Sequence, residues 1–339
     1  MVDTTKIISR SSAEALIPVE VSREIIKDIP LQSPLLSLMR RLPNMTAKQR
    51  TMPVLASLPE AHFLNGDTDR KKTTNASWAN KTITAEELAV IVPIPEAVLD
   101  DASYDIWGEI RPHIVAAFVN KITAAILFGT NKPSSWPTAL IPAAIAKNHV
   151  ITNGTNVDLA SDIIGKGGLM QKVEADGYRV NGFFADTMFE ADLRDLRNAN
   201  RDLLYSTSLT AGTPDTLVGR NVYYDGSGVF DYEQALMLAG DFSKALYAMR
   251  QDITYKVLDQ AVIQNEDGSI AYNLAQQDMV ALRCVMRIGF QTIEPINERN
   301  AGNANRYPFA VLKPAVAQSS SSSEGGENNG GVDNGATAG

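Results

Sequence analysis

Apolar residues recur every fourth position over one long stretch of the chain, at Ile106, Ile110, Ile114, Phe118, Ile122 and Ile126. This spacing stacks them on one face of an α-helix and predicts a helix over about 103–128, starting near Ser103 and roughly 36 Å long at 1.5 Å per residue. Pro112 removes the hydrogen bond to the Gly108 carbonyl, so a bend is expected there, and Gly129 supplies the C-terminal stop. Ahead of this helix the period shortens. Two strand-like stretches between Thr46 and Pro95 flank a polar tip from Leu64 to Asn80, and in the second of them Ile83, Val90, Val92 and Ile94 carry the alternation of a half-buried strand. A long β-hairpin is predicted. Its tip, Asn65-Gly66-Asp67-Thr68-Asp69-Arg70-Lys71-Lys72, is rich in turn formers and charge and is expected to project into solvent or onto a neighbour.

Elsewhere the pattern is weaker. Residues up to about Pro34 are polar with scattered Ile and Leu and no helical period, which suits an extended arm. A Pro-rich loop over 132–142 leads to a predicted helix from Val157 to Ala175, weakened by Gly165, Gly167 and Gly168. Gly182-Phe183-Phe184-Ala185 reads as a buried strand, and Thr187 to Leu204 as an amphipathic helix with Phe189, Leu193 and Leu196 on one face. The runs Val280–Phe290 and Phe309–Leu312 alternate again, so the chain is expected to return to a sheet begun earlier. From 314 to 339 the sequence is Ser, Gly, Asn and acid, too poor in apolar groups to offset ordering entropy, and is expected to be disordered.

Charge and composition narrow the function. With 39 acidic against 31 basic residues the chain carries a net charge of -8, which repels polyanions. Cys284 is the only cysteine, so neither an intrachain disulfide nor a multi-cysteine metal site is available. The N-terminus lacks the features of a signal peptide, and no apolar run is read as approaching the roughly 18 residues that span a bilayer. The expectation is a cytoplasmic product with no membrane partner.

A search for chemistry finds no convergent set. Asp225-Gly226-Ser227-Gly228 lacks the spacing of a nucleophile elbow and reads as a β-turn. The Gly165-Lys166-Gly167-Gly168 cluster lacks the spacing of a phosphate-binding loop, and close helix packing explains it better. His62, His113 and His149 have no second ligand at metal-binding spacing, and Asp67 and Asp69 lack the closing glutamate of a calcium loop. No catalytic residue, cofactor or metal is therefore assigned. Asp100 and Asp101 precede the long helix, where acids are favoured by the helix dipole. Arg70, Lys71, Lys72 and Lys81 form a basic cluster in an otherwise acidic chain. Beside the plain reading of solubilising charge, these six residues are candidate contacts between subunits.

The order of elements and several sequence words resemble the Hong Kong 97 family of tailed-phage major capsid proteins. The words are Ile17-Pro18, Val92-Pro93-Ile94-Pro95-Glu96-Ala97-Val98-Leu99-Asp100-Asp101, and Ala124-Ala125-Ile126-Leu127-Phe128-Gly129. Further on come Gly182-Phe183-Phe184, Leu217-Val218-Gly219-Arg220-Asn221-Val222, and the stretch from Ala239 to Tyr247. Ala281-Leu282-Arg283-Cys284-Val285-Met286-Arg287-Ile288-Gly289-Phe290 and Pro308-Phe309-Ala310-Val311-Leu312 close the series.

The resemblance implies an α+β Hong Kong 97 fold. It assigns residues 1–45 to an N-terminal arm, 46–95 to the E-loop hairpin, 96–150 and 276–313 to the P-domain with its spine helix, 151–275 to the A-domain, and 314–339 to the tail. It implies a non-enzymatic protein that assembles with itself into hexamers and pentamers of an icosahedral head around double-stranded DNA. It also implies a portal protein, a possible decoration protein, weak and non-specific contact with the packaged DNA, and assembly in the host cytoplasm before residence in the virion. Family members with a built-in scaffold begin with a long helical segment that is later cut away, whereas this sequence opens on the arm, so either a separate scaffolding protein or a processed form is expected, with Met1 favouring the former. Some members crosslink a lysine of the E-loop to an asparagine of a neighbour; Lys71, Lys72 and Lys81 lie in that region, but no partner matches residue by residue, and a non-covalent shell is the expectation. The alternatives are an encapsulin-like cargo compartment, which shares the fold, and a soluble α/β enzyme, which would need a pocket of shifted titrating groups.

Overall fold

The computed structural model describes residues 34–63, 70–101, 106–197, 205–206 and 215–315. The arm up to residue 33, the hairpin segment 64–69 and the tail from 316 lie outside the described residues. In chain order the strands are β1 (Arg40–Arg41), β2 (Gln49–Ser57), β3 (Ser77–Pro95), β4 (Val150–Thr152), β5 (Gly182–Asp186), β6 (Tyr205–Ser206), β7 (Thr216–Leu217), β8 (Arg220–Asp225), β9 (Met237–Gly240), β10 (Ala245–Leu258), β11 (Val262–Gln264), β12 (Ile270–Asn273), β13 (Met279–Thr292) and β14 (Phe309–Lys313). The α-helices are α1 (Pro34–Leu38), α2 (Glu96–Asp101), α3 (Ile106–Leu127), α4 (Leu140–Ala146), α5 (Leu159–Ile164), α6 (Leu169–Ala175) and α7 (Glu190–Arg194).

Two sheets organise them. The first has the order β1-β10-β13-β3-β2 and the second β4-β14-β9-β5-β8-β7-β6, with β11 and β12 forming a separate ribbon. Strand β3 is rich in β-branched residues and is long enough to serve both neighbours in turn: its first half pairs with β2 and its second half with β13. Beyond Ala85 it therefore has one open edge. Pro93 and Pro95, which have no N–H to donate, sit in that singly paired half.

The face buried by β3 changes along its length. Ile83 packs with Met45, Ala85 and Ala248, whereas Leu88, Val90, Val92 and Ile94 pack on the main core. Ile83 is thus of opposite parity to the other three residues expected to share its face. The first half of the strand is covered from one side and the second half from the other. The second strand also begins at Ser77, within the stretch expected to be tip.

Helix α3 lies on the first sheet, burying Ile106, Ile114, Phe118, Ile122 and Ile126 with Ile110 half-buried. It runs through Pro112, and Gly129 follows in the left-handed conformation (φ 80°) expected of a C-terminal stop. The residues before Ile106, where the helix is expected to start, lie outside the described ones. By length and composition α3 is apolar enough to cross a membrane, contrary to the expectation that no stretch is. Half of it is buried inside the fold, so the apolar content here serves a core.

The second sheet is covered on both faces. One contributes Phe184, Leu238, Phe309 and Val311 to the core under α3 and α4, and the other packs Phe183, Ala185, Val222 and Leu312 against α5, α6 and α7. Strand β5 is buried at every position, as its sequence predicts. The predicted helix 157–175 is instead two, α5 and α6, because the glycines reverse the chain between them. A Cβ at Gly168 would stand 2.7 Å from the Ser161 carbonyl oxygen, and Gly167 has φ 83°. Of the predicted helix 187–204, the described part up to 197 holds a turn of 3-10 helix and the short α7, and 198–204 lie outside the described residues. Its apolar face of Phe189, Leu193 and Leu196 is buried as expected. The last two β-rich runs return to different sheets: β13 to the first, β14 to the second. Strand β10, expected to belong with the middle region, pairs along most of its length with β13.

Candidate assembly surfaces

The hairpin of β2 and β3 leaves the first sheet with almost no core of its own. Its register runs from Gln49 opposite Thr84 to Ser57 opposite Ser77, supported by side-chain hydrogen bonds between Thr51 and Thr82 (3.2 Å) and between Ser57 and Ser77 (2.8 Å). Near the tip Phe63 is fully exposed and Trp78 is 67% exposed. Large aromatic groups held in water at the end of a projecting ribbon lose nothing by being covered and gain from it. Arg70, Lys71 and Lys72 are exposed there without an ion-pair partner among the described residues, and Lys81 lies half-buried on β3. These four sequence-predicted residues share one end of the molecule.

Asp100 and Asp101 lie at the other. Helix α2 follows directly on β3, where Pro95 pairs with Met279, and the Glu96 amide donates to the Asp278 carbonyl. Asp100 is exposed. Within one subunit the acidic pair and the basic cluster are separated by the length of β3, so the structure does not bring all six candidates together.

A second acidic feature, absent from the sequence-level candidates, joins Asp100 at this end. Between β10 and β13 the ribbon of β11 and β12 forms a lobe over 258–278 in which Asp259, Glu266, Asp267 and Asp278 are all exposed. No Lys or Arg occurs between Lys256 and Arg283. Ile263 and Tyr272 turn toward a small core with Leu258, Leu274, Met279 and Ala281, leaving Val262 (50% exposed) and Ile270 (63% exposed) on the outer side. Four acids in a stretch free of Lys and Arg were the available sequence signal.

The residues weighed for chemistry are structural. The Ser227 hydroxyl donates to Asp225 (2.6 Å), whose carboxylate also accepts from the Phe230 amide (3.1 Å). The same Asp-x-Ser turn recurs at Asp241 with Ser243 and at Asp267 with Ser269. His113 is exposed and His62 stands 3.8 Å from Glu60. Among the described residues no group of three His, Cys, Asp or Glu is placed to hold a metal. A cleft of about 390 Å³ lined by Asp158, Asp192, Asp195 and Arg197 contains, among the described residues, no nucleophile paired with a base. Burial pushes the Cys284 thiol up to about 11, which keeps it protonated and unreactive.

His149 is buried against Asp176, Nε2 to Oδ2 at 3.1 Å. Asp176 also accepts from the Tyr307 amide (2.8 Å) and Asn303 Nδ2 (2.6 Å), and its main-chain oxygen accepts from Asn297 and Asn300. Lys147 pairs with Glu294 and lies over the Tyr307 ring. Burial pushes the His149 pKa below its ordinary value of 6.5, against the opposing pull of Asp176. This network fastens the segment between β13 and β14, which links the two sheets. Its members are spread over 160 residues, and no local sequence pattern announces it.

Three comparisons bear on these surfaces. A family model described as the phage capsid family matches residues 13–296. The chain is 28% identical over 301 residues to a "Major capsid protein" of Staphylococcus phage 80alpha, covering 87% of this chain and 84% of that one. It superposes with TM-score 0.72 on a solved chain of Microbacterium phage Oxtober96, 35% identical, over 91% of this chain and 100% of that one. A solved chain of Mycobacterium phage Adephagia gives TM-score 0.70 at 30% identity over 88% and 99%.

Proposed function

The chain belongs to the phage capsid family, and from that premise we infer that it is the major capsid protein that builds the icosahedral head shell of a tailed phage. Its function is then area buried between copies, and the observation that carries the reading is the projecting hairpin. The hairpin of β2 and the 19-residue β3 leaves the main core to present Trp78 on β3 and Phe63 in the connection before it to water, an arrangement useful to a subunit only when a neighbour covers it.

The same reading extends to parts and partners. The region over 46–95 is the E-loop, α3 is the spine of the P-domain, and the second sheet with its helices is the A-domain. The strand pairing supports drawing β10 into the P-domain and β14 into the A-domain. Residues 1–45 are the arm. Copies close into hexamers and pentamers through heterologous contacts, in which one patch meets a different patch on the next subunit. Arg70, Lys71, Lys72, Lys81, Asp100 and Asp101 lie at such contacts. A separate scaffolding protein guides assembly in the host cytoplasm, a portal occupies one vertex, and a decoration protein is a further candidate partner. The acidic chain holds packed DNA without binding it tightly. No catalytic step belongs to this role.

Velocity sedimentation of the purified chain, alone and with a candidate scaffolding protein, tests the reading. Discrete particles or capsomer rings are expected; a monomer in both conditions overturns it.

A further inference from the structure

The chain passes from the first sheet to the second through residues 293–308, a strap between β13 and β14 that is neither helix nor strand. One buried acid holds most of it. Asp176 Oδ2 accepts from the Tyr307 amide (2.8 Å) and Oδ1 from Asn303 Nδ2 (2.6 Å), while the Asp176 main-chain oxygen accepts from Nδ2 of Asn297 and of Asn300, each at 3.0 Å. The Tyr178 hydroxyl donates to the Pro295 carbonyl and Arg299 donates to the Glu174 carbonyl, so α6 and the turn after it grip the strap at several points. His149, 6% exposed, stands behind this anchor with Nε2 3.1 Å from Asp176 Oδ2, and its Nδ1 is buried with no partner at hydrogen-bonding geometry. A neutral ring fits this site, with Nε2–H donating to the carboxylate and Nδ1 bare. A proton added at Nδ1 meets no acceptor at bonding distance.

We propose that the strap is an acid-released fastening: a proton taken up by His149 frees residues 293–308 from Asp176, while both sheets stay folded. The groups around the ring support this direction. Helix α6 presents Lys172 and, just past its end, Asp176; the residue after α4 is Lys147. The strap presents the Asn305 main chain, Glu294, which pairs with Lys147, Arg306, whose carbonyl accepts from Lys147, and the Tyr307 ring, edge-on to the imidazole at 6.3 Å. Burial disfavours the charged ring most, Asp176 pulls the other way, and Lys172 and Lys147 add repulsion that the Asn305 main chain does not offset; the net effect holds the pKa below 6.5. The fastening is therefore complete above pH 6.5 and weakens as the pH falls through that value toward the folded pKa. Release is local because from 293 to 306 only Asn300 is buried, so polar bonds rather than a core hold the strap. His62 and His113 are exposed, and a proton there disturbs no buried contact. The proposal concerns the subunit itself and goes beyond the shell-forming reading.

Hydrogen exchange of the full chain at pH 7.5 and 5.5, each corrected for the intrinsic exchange rate, tests it. Protection of peptides covering 293–308 is expected to fall several-fold at the lower pH, with a ceiling of about tenfold because the released ring titrates at its ordinary value, one unit above pH 5.5. Peptides from β5 and β13 should keep their protection within about twofold. His149→Gln retains a side-chain N–H for Asp176 but takes up no proton, and should flatten the response of the strap. Where that variant fails to fold, a titration of the wild-type strap decides: the loss must begin near pH 6.5. Unchanged protection of the strap, an equal loss in the strap and both sheets, the same loss in folded His149→Gln, or a loss that begins only below pH 5 overturns the proposal. None of these outcomes bears on whether the chain assembles, so the shell reading stands or falls separately.

Discussion

Ile126 is fully buried on the face of α3 that meets the sheet, so Ile126→Ala leaves a cavity where a branched side chain stood. Its expected cost is about 2–5 kcal/mol, read from denaturant unfolding of the unassembled subunit. Asp176 is a different case, since its carboxylate and main-chain oxygen serve His149, Tyr307 and three asparagines. Asp176→Asn keeps the volume but replaces an acceptor oxygen with a donor, and a loss of about 1–3 kcal/mol is expected in the same measurement. His149 adds a pH dependence with a definite sign. Its folded pKa is lowered, so the folded state holds it neutral while the unfolded state takes a proton below pH 6.5. Its contribution to stability is full above that value and is lost as the pH falls through it toward the folded pKa. Unfolding of the wild-type subunit and of His149→Gln at pH 7.5 and 5.5 checks this: the wild type should lose more stability across the interval.

At the scale of elements, the hairpin and the core separate cleanly. Replacing residues 58–76 by a two-residue turn removes exposed tip but little packing, so the subunit should keep its unfolding midpoint within a few degrees while particle assembly is lost. Calorimetry and sedimentation of the same preparation show both results. Gly240 is the converse, because a Cβ there would stand 2.4 Å from the Phe309 ring and 2.5 Å from the Pro308 carbonyl oxygen. Gly240→Ala should cost about 1–3 kcal/mol by forcing β9 and β14 apart. The long helix and the hairpin were legible because each carries its period over many residues, and β5 because it is an uninterrupted apolar run. The divided helix 157–175 was not, since three glycines lower helix propensity without saying whether the chain bends or reverses. The shared face expected of Ile83 and Val90 failed because an odd interval separates them, which puts them on opposite faces of one strand, and β3 is covered on one face early and on the other later. The allocation of β10 and β14 between sheets depends on pairing across dozens of residues, which no local pattern encodes. The basic tip was visible as a charge run, whereas the place of the acidic residues at the far end of the same sheet depends on folding.

As a whole molecule the protein is a phage capsid subunit whose two sheets share one core under α3 and are tied together by the network around Asp176. Burial within the subunit stabilises that body; on the proposed reading the exposed aromatic groups of the hairpin, Phe63 and Trp78, act between copies. A shell built this way draws its stability from many modest contacts, so it should form above a threshold concentration and dissociate below it. Its contacts at the charged ends should weaken with salt, because exposed ion pairs are screened over about 8 Å at physiological ionic strength. Electron microscopy of particles assembled from the purified chain, alone and with a candidate scaffolding protein, tests the central claim most directly. The account predicts closed icosahedral shells in which density for the β2–β3 hairpin crosses onto a neighbouring subunit. A chain that stays monomeric in every condition, or shells in which the hairpin touches no neighbour, would contradict it.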